Sequence, residues 1–242
     1  MKKFLLIGEG CTDEFVYCNA SRLAPDIPVP ILQVSSLVTN PGMALNVLEN
    51  LKKLGVAADV ITNQNWQSIK KTRYVHLSTN HTFFRVDTED RVQTLADIPD
   101  LLAYEHIIVS DYDKGFLTEG QISTICKNHP SVFVDTKKVL GPWISSARFI
   151  KVNNYEYLRS VKQINDVVRD KIIRTLGPNG CEFQGRIYPV EQVSVADTTG
   201  AGDAFMASFV FEFDRTQNAI HSLIFANRMA SKVVTARGVS TL

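Results

Sequence analysis

Cysteine is scarce in this sequence. Only four occur in 242 residues, Cys11, Cys18, Cys126 and Cys181, and none forms a C-x-x-C pair. That spacing fits a reduced, cytoplasmic protein better than a disulfide framework or a thiolate zinc site. An excess of charge of one sign is absent too: 26 Lys and Arg face 25 Asp and Glu, leaving +1. Nothing therefore points to nucleic acid or an anionic membrane as partner. No apolar run approaches membrane-spanning length. The start imitates a signal peptide, but its apolar stretch Phe4–Ile7 ends at Gly8-Glu9-Gly10, too short for the apolar core of a leader, and reads as a buried strand. His76, His81, His106, His129 and His221 show no metal-ligand spacing. Internal repeats, low-complexity tracts and linkers are also missing. With 45% hydrophobic residues, residues 1–242 are expected to form one α/β domain with a sizeable core.

Short apolar runs alternate with helical periodicity. Phe4–Ile7, Ala57–Ile61, His106–Val109, Val132–Val134, Phe149–Val152 and Lys171–Thr175 read as strands. Met43–Leu54, Thr118–Lys127, Asn153–Val161 and Ala219–Val234 read as helices, the first closing at Gly55 as a C-cap. This alternation predicts a parallel sheet covered on both faces, with the ligand at the carboxyl ends of its strands. Two segments break the pattern. Glu14–Leu37 places Pro25, Pro28 and Pro30 among β-prone residues, and Lys70–Asp87 reads as a hairpin turning at Ser78–His81. They read equally well as a small sheet folded over the site or as two surface excursions.

Against this background stands Asp197-Thr198-Thr199-Gly200-Ala201-Gly202-Asp203-Ala204-Phe205. Gly200 and Gly202 permit a cramped backbone and close approach of another molecule. The mostly apolar run Ala201–Phe213 predicts a buried helix. Its first N–H groups lack intrahelical acceptors and lie at the positive end of the helix dipole, which makes an anion site. A phosphoryl group in transfer spreads negative charge over its equatorial oxygens, which such donors stabilise. Asp203 in the first turn is placed to take the proton of an attacking hydroxyl. A bare G-x-G-D would read more simply as a tight turn; the longer string is more specific.

The string resembles the signature of the ribokinase-like (PfkB) carbohydrate kinases. That resemblance implies a three-layer α/β sandwich with a mostly parallel central sheet and a small β-lid, with ATP and Mg²⁺ as cofactors. It makes Asp203 the catalytic base and Gly200, Ala201 and Gly202 the anion hole, with Asp197 and Thr199 near the nucleotide and metal. Gly8-Glu9-Gly10-Cys11-Thr12-Asp13 sits where the family places a sugar-binding aspartate, a role carried to Asp13. Pro41-Gly42-Met43-Ala44-Leu45-Asn46 resembles G-G-x-x-N, with Gly42 and Asn46 on the substrate. Asn153-Asn154-Tyr155-Glu156 resembles N-x-x-E, in which Asn153 and Glu156 organise the phosphate region and Glu156 bears indirectly on the metal. Thr175, Gly177 and Gly180 match a nucleotide-side T-x-G-x-x-G, and Gly238 lies in a closing G-x-S near the adenine.

One branch is closer than the rest. Ala24–Pro30 resembles the S-P-E-A-P-V-P of bacterial heptose-phosphate kinases. Lys71-Thr72-Arg73, Phe84-Arg85-Val86-Asp87, Ser110–Gly115 and Asp135-Thr136-Lys137 resemble their K-x-R, R-x-D, S-D-Y-x-K-G and D-P-K. The implied acceptor is a phosphorylated sugar, D-glycero-D-manno-heptose 7-phosphate, held by Arg73, Arg85, Asp87, Lys114 and Lys137. The chemistry agrees: a phosphate dianion needs cations, Arg as a bidentate clamp and Lys as a point charge. Four departures stand out. Glu9 replaces an aspartate, Met43 replaces the second glycine of G-G, and Thr136 replaces a proline. Val56–Ile69 is too short for the family's further helix and strand, so one αβ unit is expected to be shortened. No H-x-G-H motif of a nucleotidyltransferase occurs, so the kinase step alone is expected. A hexose, a nucleoside or another sugar phosphate is the alternative acceptor, and a non-catalytic binding relative is the third possibility. A homodimer through the lid is also implied.

Overall fold

The computed structural model describes residues 2–235 and 241–242. From the start of the chain it forms β1 (Lys2–Gly8), β2 (Gly10–Asn19), β3 (Gln33–Met43), α1 (Ala44–Lys53), β4 (Ala58–Ile61), β5 (Lys70–His76), β6 (Thr82–Asp87) and β7 (Tyr104–Asp111). There follow α2 (Glu119–Asn128), β8 (Val132–Thr136), β9 (Phe149–Asn153), α3 (Asn154–Ser160), α4 (Asp166–Arg169), β10 (Ile172–Thr175), β11 (Cys181–Phe183), β12 (Arg186–Tyr188), α5 (Ala201–Thr216) and α6 (Ala219–Val234).

The main sheet has the order β12-β11-β10-β9-β8-β7-β1-β4. Its pairs from β4 to β10 are parallel, and β11 and β12 add an antiparallel edge. Successive side chains of a strand point to opposite faces, and both faces here are apolar. Phe4, Leu6, Ile108 and Phe133 join Leu51 of α1, Phe209 of α5 and Leu223 of α6. Leu5, Ile7, Val109 and Val134 join Ile122 of α2 and Val168 of α4. This is the expected three-layer sandwich. Burial holds α5 most firmly: every residue from Asp203 to Val210 is buried. Phe205, Phe209 and Phe213 recur at four-residue spacing on one face, and Phe209 meets Phe149 edge-on at 5.1 Å. Each such ring contributes about 1.5–3 kcal/mol by burial, so the start of α5 is fixed at the carboxyl edge of the sheet.

A second sheet has the order β3-β2-β5-β6. The hairpin expected at 70–87 is β5 and β6, pairing Lys71 with Asp87. The partner segment expected at 14–37 is displaced. Its strands are 10–19 and 33–43, paired from Gly10↔Met43 to Asn19↔Gln33, and the proline-bearing stretch forms the tip, where Leu23 bridges Pro30. Proline lacks the ladder donor, which suits Pro25, Pro28 and Pro30 to this tip and Pro41 to the edge strand β3. Met43, read as the helix start, is therefore the last residue of β3. Its φ of 57° and ψ of −132° lie in the glycine-favoured region, where another residue costs on the order of 1–3 kcal/mol. The shortened unit is evident: β4 pairs with β1 at the sheet edge, and residues 62–69 lead straight to β5. That connection is tied down by buried Asn63, whose Oδ1 accepts from the Gly10 N–H at 2.8 Å.

Candidate active site

β7, β8, β9 and β10 end along one edge of the main sheet, beside the start of α5. Gly200 caps α5 with a φ of 84° and no side-chain hydrogen bond, a conformation natural to glycine. Three residues on, Asp203 is 8% exposed. Its Oδ2 accepts from Asn46 Nδ2 at 2.8 Å, and its Oδ1 accepts from the Tyr112 hydroxyl at 2.7 Å. Burial pushes the carboxyl above its ordinary value, partly opposed by those two hydrogen bonds and by Lys151, while Asp135 adds to the rise. A raised carboxyl is the better proton acceptor once ionised.

Beside it lies a row of alternating charges. Lys151 Nζ is 2.6 Å from Asp135 Oδ2 with both groups buried, and it sits 2.9 Å from where a Cβ on Gly202 would stand. Lys137 Nζ is 2.6 Å from Glu156 Oε1 and 3.8 Å from Asp135 Oδ1. Burial works against both charges, but Lys151 and Lys137 hold Asp135 below its ordinary value, and Asp135 and Glu156 hold Lys137 above its own. Glu156 is oriented by the α3 capping box: its carboxylate accepts from the Asn153 N–H and Nδ2, both at 2.8 Å, and its own N–H donates to Asn153 Oδ1 at 2.9 Å.

These residues surround a chamber of about 720 Å³ lined by Tyr112, Asp135, Lys137, Lys151, Asn153, Thr175, Gly177, Gly200, Gly202 and Asp203. It adjoins a slot of about 250 Å³ whose walls include Pro178, Gly180, Val190, Val193, Val195, Phe205, Ala201 and Val234, and the two share Thr175, Gly177, Thr198 and Gly202. A polar chamber joined to an apolar slot suits the phosphates and the base of a nucleotide.

The remaining candidates lie elsewhere. Asp13 Oδ1 accepts from Arg73 Nη1 at 2.7 Å. Gly42 lies so close that an added Cβ would stand 2.2 Å from Asp13 Oδ2 and 2.7 Å from Cys11 Sγ. Lys114 and Lys71 converge on Asp90 at 2.8 and 3.1 Å, and Arg85 pairs with Asp87 at 2.8 Å. Each candidate cation thus already has a carboxylate partner. Asp197 accepts from the Thr199 N–H at 2.8 Å within its own turn, and neither residue lines the chamber or the slot. Gly238 falls outside the described residues. Glu9, fully buried, accepts from the N–H groups of Tyr112, Lys114 and Phe116 at 2.7, 3.1 and 3.3 Å, so it shapes the loop after β7. Sequence reasoning gave no role to Tyr112, Lys151, Asp135 or Asp90. The available signal for Lys151 was a lone lysine inside the apolar strand Phe149–Val152.

The Gly42 contact leads to a direct expectation. Gly42→Ala must displace the Asp13 carboxylate, so it should cost roughly 1–3 kcal/mol of stability by overpacking and raise the acceptor KM while leaving the ATP KM unchanged. Denaturant unfolding and two-substrate kinetics check both parts.

A both-faced α/β sandwich, a second sheet and a glycine turn beside one buried carboxylate suit a phosphotransferase-type enzyme. The chain belongs to the pfkB family of carbohydrate kinases, whose family profile matches residues 58–242. It is 26% identical over 300 aligned positions to the bifunctional protein HldE of Sulfurimonas denitrificans, covering 99% of this chain and 62% of that protein. It is 27% identical over 297 positions to HldE of Helicobacter pylori strain G27, covering 98% and 64%. The chain therefore spans less than two thirds of these relatives. Among solved structures, ribokinase of Thermotoga maritima aligns with a TM-score of 0.70 at 15% identity, covering 99% of this chain and 95% of that one. Phosphofructokinase-2 of Escherichia coli in complex with substrates and products aligns at 0.69 and 16%, covering 97% and 93%. These likenesses establish the shared fold. No helix among the described residues is long and apolar enough to cross a membrane.

Proposed function

We propose that this kinase transfers the γ-phosphoryl group of ATP to a hydroxyl of a phosphorylated sugar, D-glycero-D-manno-heptose 7-phosphate, giving a bisphosphate. The observation that carries the reaction is the Asp203 carboxylate, buried at the first turn of α5 and open to the polar chamber. The triphosphate lies in that chamber and the base in the adjoining slot. The acceptor oxygen bonds to Pγ as the bond from Pγ to the β-phosphate oxygen breaks, the hydroxyl proton passes to Asp203, and ADP leaves. N–H groups of the Gly200–Gly202 turn and the Lys151 ammonium meet the charge on the transferred group.

The same row suits a magnesium ion held largely by phosphates and water. Asp135 Oδ1 is buried without a hydrogen-bond partner, and the described residues contain no cluster of three acidic, His or Cys ligands. Asp135 and Glu156 would orient the ion's water shell, and a bound ion would supply charge neutralisation for the phosphates.

The phosphorylated acceptor is supported by Lys71, Arg73, Arg85 and Lys114 on the second sheet and the loop after β7, and by the heptose-kinase-like motifs that contain them. A thermal-shift screen tests it. A sugar phosphate at 100 times its Kd adds about 2.7 kcal/mol, a rise on the order of 5–10 °C for a chain of this size. The heptose phosphate should give the largest shift, increased by a non-hydrolysable ATP analogue. Shifts with nucleotide and with no sugar phosphate would reject this acceptor. A hexose, nucleoside or other sugar phosphate is the second reading, favoured by Met43, which belongs to the Cys11, Met43 and Ile69 cluster that Tyr112 packs against. The second sheet also exposes Val34, Leu37, Phe84 and Val86, which the strand register puts on one face, an apolar face that fits pairing of two copies; a monomeric mass in solution would contradict that pairing.

A further inference from the structure

Tyr112 stands where the two halves of the site meet. Its ring packs against the Cys11, Met43 and Ile69 cluster on the acceptor side. Its other side lines the phosphate chamber, with Lys137 Nζ 5.4 Å from the ring centroid. Its backbone N–H is held by Glu9 Oε2 at 2.7 Å, and its hydroxyl donates to Asp203 Oδ1 at 2.7 Å. The second carboxylate oxygen is taken by Asn46 at 2.8 Å. Each carboxylate oxygen has two lone pairs, so two donors arriving from different elements fix the carboxylate's rotation and still leave a lone pair on each oxygen.

We propose that Tyr112 is a positioning residue for phosphoryl transfer: its phenol aims the Asp203 carboxylate at the acceptor hydroxyl and favours the ionised form that takes the proton. This rests on the reading of Asp203 as the base. The groups facing Asp203 are Asn46 of α1, Tyr112 after β7, Asp135 of β8, Lys137 after β8 and Lys151 of β9. Burial and Asp135 favour the protonated acid, whereas Asn46, Tyr112 and Lys151 favour the carboxylate. Removing the phenol donor therefore raises the Asp203 pKa, and any step that needs the carboxylate then requires a higher pH. The phenol stays protonated throughout, because burial and then the Asp203 charge hold it well above its ordinary value.

The test compares the wild-type protein with Tyr112→Phe in two measurements. In steady-state kinetics with the best acceptor of a sugar-phosphate panel, kcat should fall about tenfold or more, the loss of one hydrogen bond to a charged group. The acid limb of its pH profile should move to higher pH, and the ATP KM should stay unchanged. In carboxyl ¹³C NMR of Asp-labelled protein, the Asp203 titration should move upward in the variant, a readout that needs no turnover. Site-specific 3-fluorotyrosine at 112 keeps the packing and offers a more acidic donor, so it should move both midpoints downward even if the Phe variant folds poorly. Unmoved Asp203 titrations in both variants would overturn the proposal, as would a kcat loss with an unmoved acid limb. Equal turnover by wild type and Asp203→Asn would instead refute the base assignment, which the NMR titration does not depend on.

Discussion

Asp203→Asn is expected to lower kcat by about 10²–10⁴, the range contributed by a positioned general base, while leaving the protein at least as stable. Asparagine keeps the size of the side chain, and its amide oxygen still accepts from Tyr112 or Asn46. The carboxyl's folded-state pKa is raised, chiefly by burial, so the folded protein binds this proton more tightly than the unfolded chain. A group of that kind makes stability fall as pH rises from the unfolded value through the folded one. At neutral pH the ionised Asp203 is thus a cost to the fold that asparagine removes. Steady-state kinetics and thermal unfolding of the same preparation check both halves. Activity lost together with stability would mean that Asp203 serves the fold rather than the reaction.

Lys151→Met is expected to act on both. It leaves Asp135 buried without its partner at 2.6 Å, and breaking one side of a buried pair costs about 3–5 kcal/mol, a fall in Tm on the order of 10 °C. It also removes the ammonium beside the Gly200–Gly202 turn, so turnover should fall steeply. The pH dependence of stability should change sign. In the wild type Asp135 is held below its ordinary value against burial by Lys151 and Lys137, so its contribution is present above the unfolded pKa and is lost as pH falls through the folded one. With Lys151 gone, burial dominates and acid should relieve the variant. Adding Asp135→Asn to Lys151→Met should restore much of the stability and little of the activity. Thermal unfolding across pH for the two single variants and the double variant measures this, and simple additivity would count against a coupled pair.

The frame was legible because buried parallel strands read as apolar runs: Phe4–Ile7 lies within β1 and Phe149–Val152 within β9. The turn before α5 was legible through glycine, whose conformational freedom leaves a mark in composition. Two other features were not. β11 and β12 are three residues each, too short to show alternation. The extent of β2 and β3 is set by pairing across ten positions, which local propensity does not report. In the site, Asp135, Lys151 and Tyr112 come together because neighbouring strands end side by side, a consequence of strand order rather than of spacing. Asp90 lies beyond the hairpin expected at 70–87, and its tie to Lys71 and Lys114 exists only once the second sheet has folded toward the loop after β7.

A γ-phosphoryl transfer from ATP to a phosphorylated sugar can be followed in the complete reaction by ³¹P NMR. With ATP, Mg²⁺ and a panel of sugar phosphates, a bisphosphate signal should grow in step with ADP, fastest with the heptose 7-phosphate. ADP formed without any new phosphate ester, or a phosphate ester formed only on sugars that carry no phosphate, would contradict it.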